Sequence, residues 1–204
     1  MKKRFLPLAG LVALTLAGCL TPSVNPFYTE KDLVFDPALV GGWGDRDGGE
    51  RWDFVRDGDK AYTWTCQEKT GRSEFRAHLL QLGDLRLLDA LLVHTKGEWK
   101  GDGSSRIAMV VRPAHLIFKL QFTNSALRLQ GLSQEWMERL LKAQPAALAH
   151  EWLKEPDNDD QRAILTAPTA ELQRFILEHA ADPKMFTDGD PVPRIDGPSP
   201  VPAP

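Results

Sequence analysis

From Arg51 to Val93 apolar and polar residues alternate in short runs divided by turn residues, as in an antiparallel sheet with one face turned to a common interior. The runs are Arg51–Val55, Ala61–Gln67, Ser73–Leu80 and Leu85–Val93, and the turns between them carry Asp57-Gly58-Asp59, Thr70-Gly71-Arg72 and Gly83-Asp84. Trp52 with Phe54, Tyr62 with Trp64, and Phe75 with Ala77 and Leu79 fall on one face of their strands. Gly83-Asp84 suits a two-residue hairpin with glycine first. After a polar, glycine-rich break at 94–105, Ile107–Val111 and His115–Phe122 resume strand-like runs, and Leu127–Gln130 adds a short one. The period then changes. Trp136, Met137, Leu140 and Leu141 line one face of a helix that opens at Ser133, with Glu135–Arg139 and Glu138–Lys142 at i,i+4 spacing. Pro145 restarts the chain as a second short helix through Trp152. A strand at Arg162–Thr166 and a last helix near Thr169–Ala181, burying Leu172, Phe175 and Ile176, complete the pattern. The expected fold is α+β: an antiparallel meander closing into a small barrel-like sheet, followed by helices.

Both ends of the chain differ from this body. Lys2, Lys3 and Arg4 precede an apolar run from Phe5 to Leu16 that is too short to span a bilayer core of about 30 Å. That run closes on Leu16-Ala17-Gly18-Cys19, which resembles the lipobox of bacterial lipoproteins. The resemblance implies cleavage before Cys19, a diacylglyceryl group on its thiol and acylation of the new amino terminus. Several acyl chains make an effectively permanent anchor, because each buried methylene contributes about 0.8 kcal/mol. Leu20 follows Cys19 where the family's inner-membrane proteins carry Asp, so the implied address is the outer membrane, facing the periplasm, in an organism with two membranes. Residues 1–18 are then a signal peptide, 19–35 a lipidated tether, 36–187 a single domain, and 188–204 a proline-rich solvated tail. Asp36-Pro37 reads as the opening of a helical turn, with Asp36 as N-cap, before a strand at Leu39–Trp43.

Removing 18 of 204 residues leaves 186, enough for one domain, and shifts the formal charge from −3 to −6 because the segment carries three basic residues and no acidic one. A mildly acidic chain without a basic stripe argues against a nucleic-acid partner. The chain has two cysteines. With Cys19 lipidated, Cys66 has no partner for an intramolecular disulfide, and its place on the Tyr62-Trp64 face makes it a small core residue.

The run from Asn25 to Trp43, with Ala147–Glu151 and Glu171–Ala180 further on, is similar to blocks of a family of uncharacterised bacterial lipoproteins. That likeness implies a fold and an address and no activity. Gly41-Gly42-Trp43 after a helical turn resembles the Gly-x-Trp first strand of lipocalins, in which the Trp plugs one end of an eight-stranded barrel. The lipocalin Thr-Asp-Tyr turn and the late Arg stacked on that Trp are not recognisable as motifs here.

Candidate chemistry is sparse. Asp45-x-Asp47-Gly48 and Asp157–Asp160 lack the closing Glu of a calcium loop and read as solvated turns. The five histidines show no zinc spacing, and no nucleophile elbow or phosphate loop occurs, so neither a metal, a cofactor nor an enzymatic role is expected. Trp99, set among charges and glycines, is the candidate contact residue. The sequence therefore points to a lipid-anchored, non-catalytic binding or scaffold protein of the cell envelope that offers a surface or a pocket to an envelope partner; the alternative is a lipocalin-like carrier of a small apolar ligand. Abundant inward aromatics favour a filled barrel over a hollow one.

Overall fold

A computed structural model of the chain describes residues 20–45, 49–68, 71–97, 114–154 and 161–195. Its centre is the expected antiparallel sheet, closed on itself. Eight strands follow one another around a barrel in the order β1 (Gly41–Gly44), β10 (Val192–Ile195), β7 (Ala126–Gly131), β6 (His115–Phe122), β5 (Leu85–Gly97), β4 (Gly71–Leu82), β3 (Ala61–Glu68) and β2 (Arg51–Asp57). Every pairing is antiparallel. Closure removes the exposed sheet edges that would otherwise template aggregation. Leu82 pairs with Leu85 across the Gly83-Asp84 loop, the hairpin the sequence expects.

Alternation divides the apolar residues into two cores. Inward positions such as Trp52, Phe54, Trp64, Phe75, Leu88 and Phe118 fill the barrel. Outward positions on β4, β5 and β6, namely Leu80, Leu82, Leu87 and Ile117, form a second core under helix α1 (Gln134–Ala143), helix α2 (Thr169–His179) and the hairpin of β8 (His150–Lys154) and β9 (Gln161–Leu165). These strands read as near-continuous apolar runs because both faces are buried. In α1, Ser133 is the N-cap, its side chain accepting a hydrogen bond from the Trp136 N–H. Trp136, Met137 and Leu141 are its buried apolar residues.

Three expectations need correction. Residues 145–152 do not form a second helix: His150–Lys154 is strand β8, paired along its length with β9. Five residues with Trp152 and Leu153 suffice for a hairpin, and pairing outweighs the helix propensity of the alanines before them.

Residues 20–35 are not a free tether. Thr21 N–H donates to Leu132 O (3.0 Å), Ser23 and His115 exchange two backbone hydrogen bonds, and Val24 N–H donates to Leu165 O. Phe27 and Leu33 enter the outer core. Residues 21–33 are a strap across the outside of β6, β5 and β4, held because those strands' outer faces are apolar and need cover.

The tail assigned to 188–204 contains β10. Val192–Ile195 joins β7 to β1 and closes the barrel. Four residues are too few for a periodic signal, and Pro193 masks them. The strand expected at Ile107–Val111 and residues 196–204 lie outside the described residues.

Candidate functional site

The Gly-x-Trp entrance forms the closed end of the barrel. Asp36 caps the 3-10 turn Pro37–Leu39 by accepting from Ala38 N–H (2.9 Å). Its other carboxylate oxygen accepts from Arg86 at 2.7 Å, which, with the Ala38 hydrogen bond, holds Asp36 below the usual carboxylate range. The Tyr62 hydroxyl accepts from Asp36 N–H (2.7 Å) and donates to Asp36 O (3.1 Å) from inside the barrel. Trp43 is wholly buried and its indole N–H donates to Leu39 O at 3.0 Å.

Over the Trp43 ring lies the guanidinium of Arg194, 4.2 Å from the ring centroid, donating to Val40 O and Ala38 O as well. The late Arg stacked on the first-strand Trp, which no sequence motif revealed, is therefore present. Gly41 makes room for it. Its φ is +132°, and a Cβ there would fall 2.9 Å from Arg194 Nη1.

Above this plug the interior is a column of aromatic rings. Trp64 stacks on Phe54 (5.4 Å between centroids) and Phe75 (4.7 Å), and meets Trp52 and Phe118 edge to face at 5.9 and 5.6 Å. Trp43, Trp52, Trp64, Tyr62, Phe54 and Phe118 are each no more than 1% exposed. A cavity able to hold a ligand would leave some of that surface open, so these side chains fill the space they line. One polar atom in the column is unsatisfied: the buried Trp64 Nε1 meets no acceptor among the described residues.

The opposite end of the barrel is more polar. Trp52 Nε1 donates to Glu50 Oε1 (2.7 Å), and Cys66 Sγ lies 3.6 Å from the same oxygen. Glu50, Cys66 and Glu68 each bring one potential metal-ligand atom within 4.8 Å of the others. Two carboxylates and a thiol could accept a divalent cation, but mutual hydrogen bonding already accounts for the arrangement. As expected, Cys66 is a buried residue of the inner core.

A second titratable cluster sits on the outer wall beneath the strap. Asp89, fully buried, accepts from Phe27 N–H (2.9 Å) and pairs with His115 Nδ1 (2.7 Å). Tyr28 packs on His78 at 4.5 Å and edge-on to His115. The His–Asp pair has the geometry of a base with its orienting carboxylate, but Asp89 spends its second oxygen on the strap backbone. The cluster is a latch.

Replacing Asp89 with alanine orphans the Phe27 N–H and His115, a cost of about 2–3 kcal/mol. Hydrogen exchange should show residues 20–35 losing protection first; unchanged protection there would refute the latch.

Burial lowers the His78 pKa below its ordinary 6.5. The unfolded chain then takes up a proton at His78 before the folded chain does. Stability therefore falls as pH drops from about 6.5 toward the lowered folded-state value, and levels off below it. Denaturant midpoints between pH 7 and 5 should fall in the wild type and fall less in His78→Gln.

Cys19, the lipobox residues Leu16, Ala17 and Gly18, and Trp99 lie outside the described residues. The residues missed by sequence reasoning are Arg194 and Asp89. Asp89 did leave a signal, a lone carboxylate inside the apolar run Leu85–Val93. No family model, no curated protein and no solved structure matches the chain.

Proposed function

We propose that the protein is a lipid-anchored, non-catalytic binding module of the bacterial cell envelope, facing the periplasm from the outer membrane where two membranes exist. Membrane attachment rests on the lipobox-like Leu16-Ala17-Gly18-Cys19 behind a basic start and a short apolar run. The single observation that carries the binding-module reading is the filled aromatic interior. A barrel closed by Trp43 and Arg194 and packed with rings offers its surface, rather than a deep pocket, to a partner. An envelope protein is the partner class that fits, since the acidic chain disfavours nucleic acid.

Cys19→Ala is expected to abolish incorporation of labelled fatty acid and to release the protein from the membrane fraction. Retained label in that variant would refute the anchor.

The second reading, a lipocalin-like carrier of a small apolar ligand, is favoured by one observation. The unsatisfied Trp64 Nε1 is a donor that a ligand acceptor inside the barrel would meet. That reading requires the aromatic column to part. A stoichiometric apolar molecule co-purifying with the protein would support it over the first.

A further inference from the structure

The position of Leu20 bears on how the body stands on its membrane. Leu20 belongs to the inner core and is 7% exposed. It lies against Gly131 at the inward-facing end of β7, where Gly131 pairs with Phe118. A Cβ on Gly131 would fall 2.1 Å from Leu20 Cδ2, so the leucine side chain occupies the space that a side chain at 131 would fill. Gly131 ends β7 at the rim opposite the Trp43 plug, the same end at which β2 begins with Arg51 and β3 finishes with Glu68. Leu20 is thus an apolar filler of the barrel interior at this end.

It is also fixed there. Leu20 forms a bridge with Ser133, Thr21 N–H donates to Leu132 O, and Thr21 Oγ1 donates to Ser133 O. Leu165 N–H donates to Pro22 O, and Ser23 pairs with His115. These contacts hold Leu20 itself, the residue that follows Cys19 in the sequence, at the rim.

We infer that the β6–β7 rim of the barrel, beside Leu20, rests on the lipid surface that holds the acyl chains. This inference depends on the anchor at Cys19 proposed above. With a tether of some 15 flexible residues the body could tumble over on the order of 20 Å. With none, the rim beside Leu20 lies at the headgroups, and the Trp43–Arg194 end points away from the membrane. The surfaces left for an envelope partner are the barrel wall, the helical face and the plugged end.

The test uses the full-length lipoprotein, purified from its membrane and placed in phosphatidylethanolamine–phosphatidylglycerol vesicles carrying a headgroup quencher. Single cysteines for a fluorophore replace Glu135 or Asp188, exposed residues near Leu20, or Asp59 or Asp84, exposed in turns at the far end. Native Cys66 is buried. The far turns lie about 20 Å from the rim along tilted strands. Quenching is expected to be several-fold stronger at Glu135→Cys and Asp188→Cys than at Asp59→Cys and Asp84→Cys. Inserting about twelve Gly/Ser residues between Cys19 and Leu20 should collapse that difference while keeping the lipid.

Equal quenching at both ends, or stronger quenching at the far end, overturns the orientation. The mass of the amino-terminal peptide separates the two readings. A missing diacylglyceryl group overturns anchor and orientation together, whereas a lipidated peptide with equal quenching overturns the orientation alone.

Discussion

Arg194→Ala should lower the thermal midpoint by about 10 °C. The guanidinium stacks on Trp43 at 4.2 Å and donates to Val40 O and Ala38 O, so one side chain joins the last strand to the first strand and to the capping turn. A desolvated cation–π contact contributes about 2 kcal/mol and each hydrogen bond from a charged donor about 1.5 kcal/mol or more. Partial exposure of the side chain keeps the total to about 3–5 kcal/mol, equivalent to about 2–4 °C per kcal/mol in a domain of this size. Arg194→Lys should recover only part of the loss, because an ammonium cannot both lie flat on the indole and reach two carbonyls. If Arg194→Ala melts within a degree or two of the wild type, the last strand does not lock the barrel.

Why Arg194 was hidden while Trp43 was legible follows from how each site is encoded. Trp43 sits behind a glycine pair and an Asp-Pro helical opening, all within eight residues, so local chemistry exposes it. Arg194 acts through contacts with Ala38, Val40 and Trp43, about 150 positions away, from a four-residue strand that follows Pro191 and contains Pro193. Local pattern carries no trace of such a partner. The same contrast runs through the fold. The long strands β3, β4 and β5 and the two helices announce themselves by period, because each buries at least one face over two or more turns or pleats. The strap does not, since residues 20–35 are held by backbone hydrogen bonds and single anchors such as Phe27 and Leu33. Composition alone then suggests a linker.

The aromatic column supplies the second large effect. Trp64→Ala removes the ring that touches Trp52, Phe54, Phe75 and Phe118, at a cost of about 3–5 kcal/mol. Loss of the unsatisfied indole N–H offsets little of this, because the cavity dominates. The void would be apolar and dry, so it should bind benzene-sized molecules that the wild type excludes. Calorimetric titration of both proteins with such a probe is the check: binding only to the variant fits a filled interior. Equal binding by the wild type would mean that the column parts readily, and the carrier reading would take precedence.

The central claim, an anchored barrel whose interior is its own side chains, can be tested in one measurement. Native mass spectrometry of the protein extracted gently from its membrane should give the chain beginning at Cys19, the mass of its acyl and diacylglyceryl groups, and nothing further in stoichiometric amount. A second, non-covalent molecule bound one-to-one would contradict the filled interior, and a chain without lipid on Cys19 would contradict the anchor.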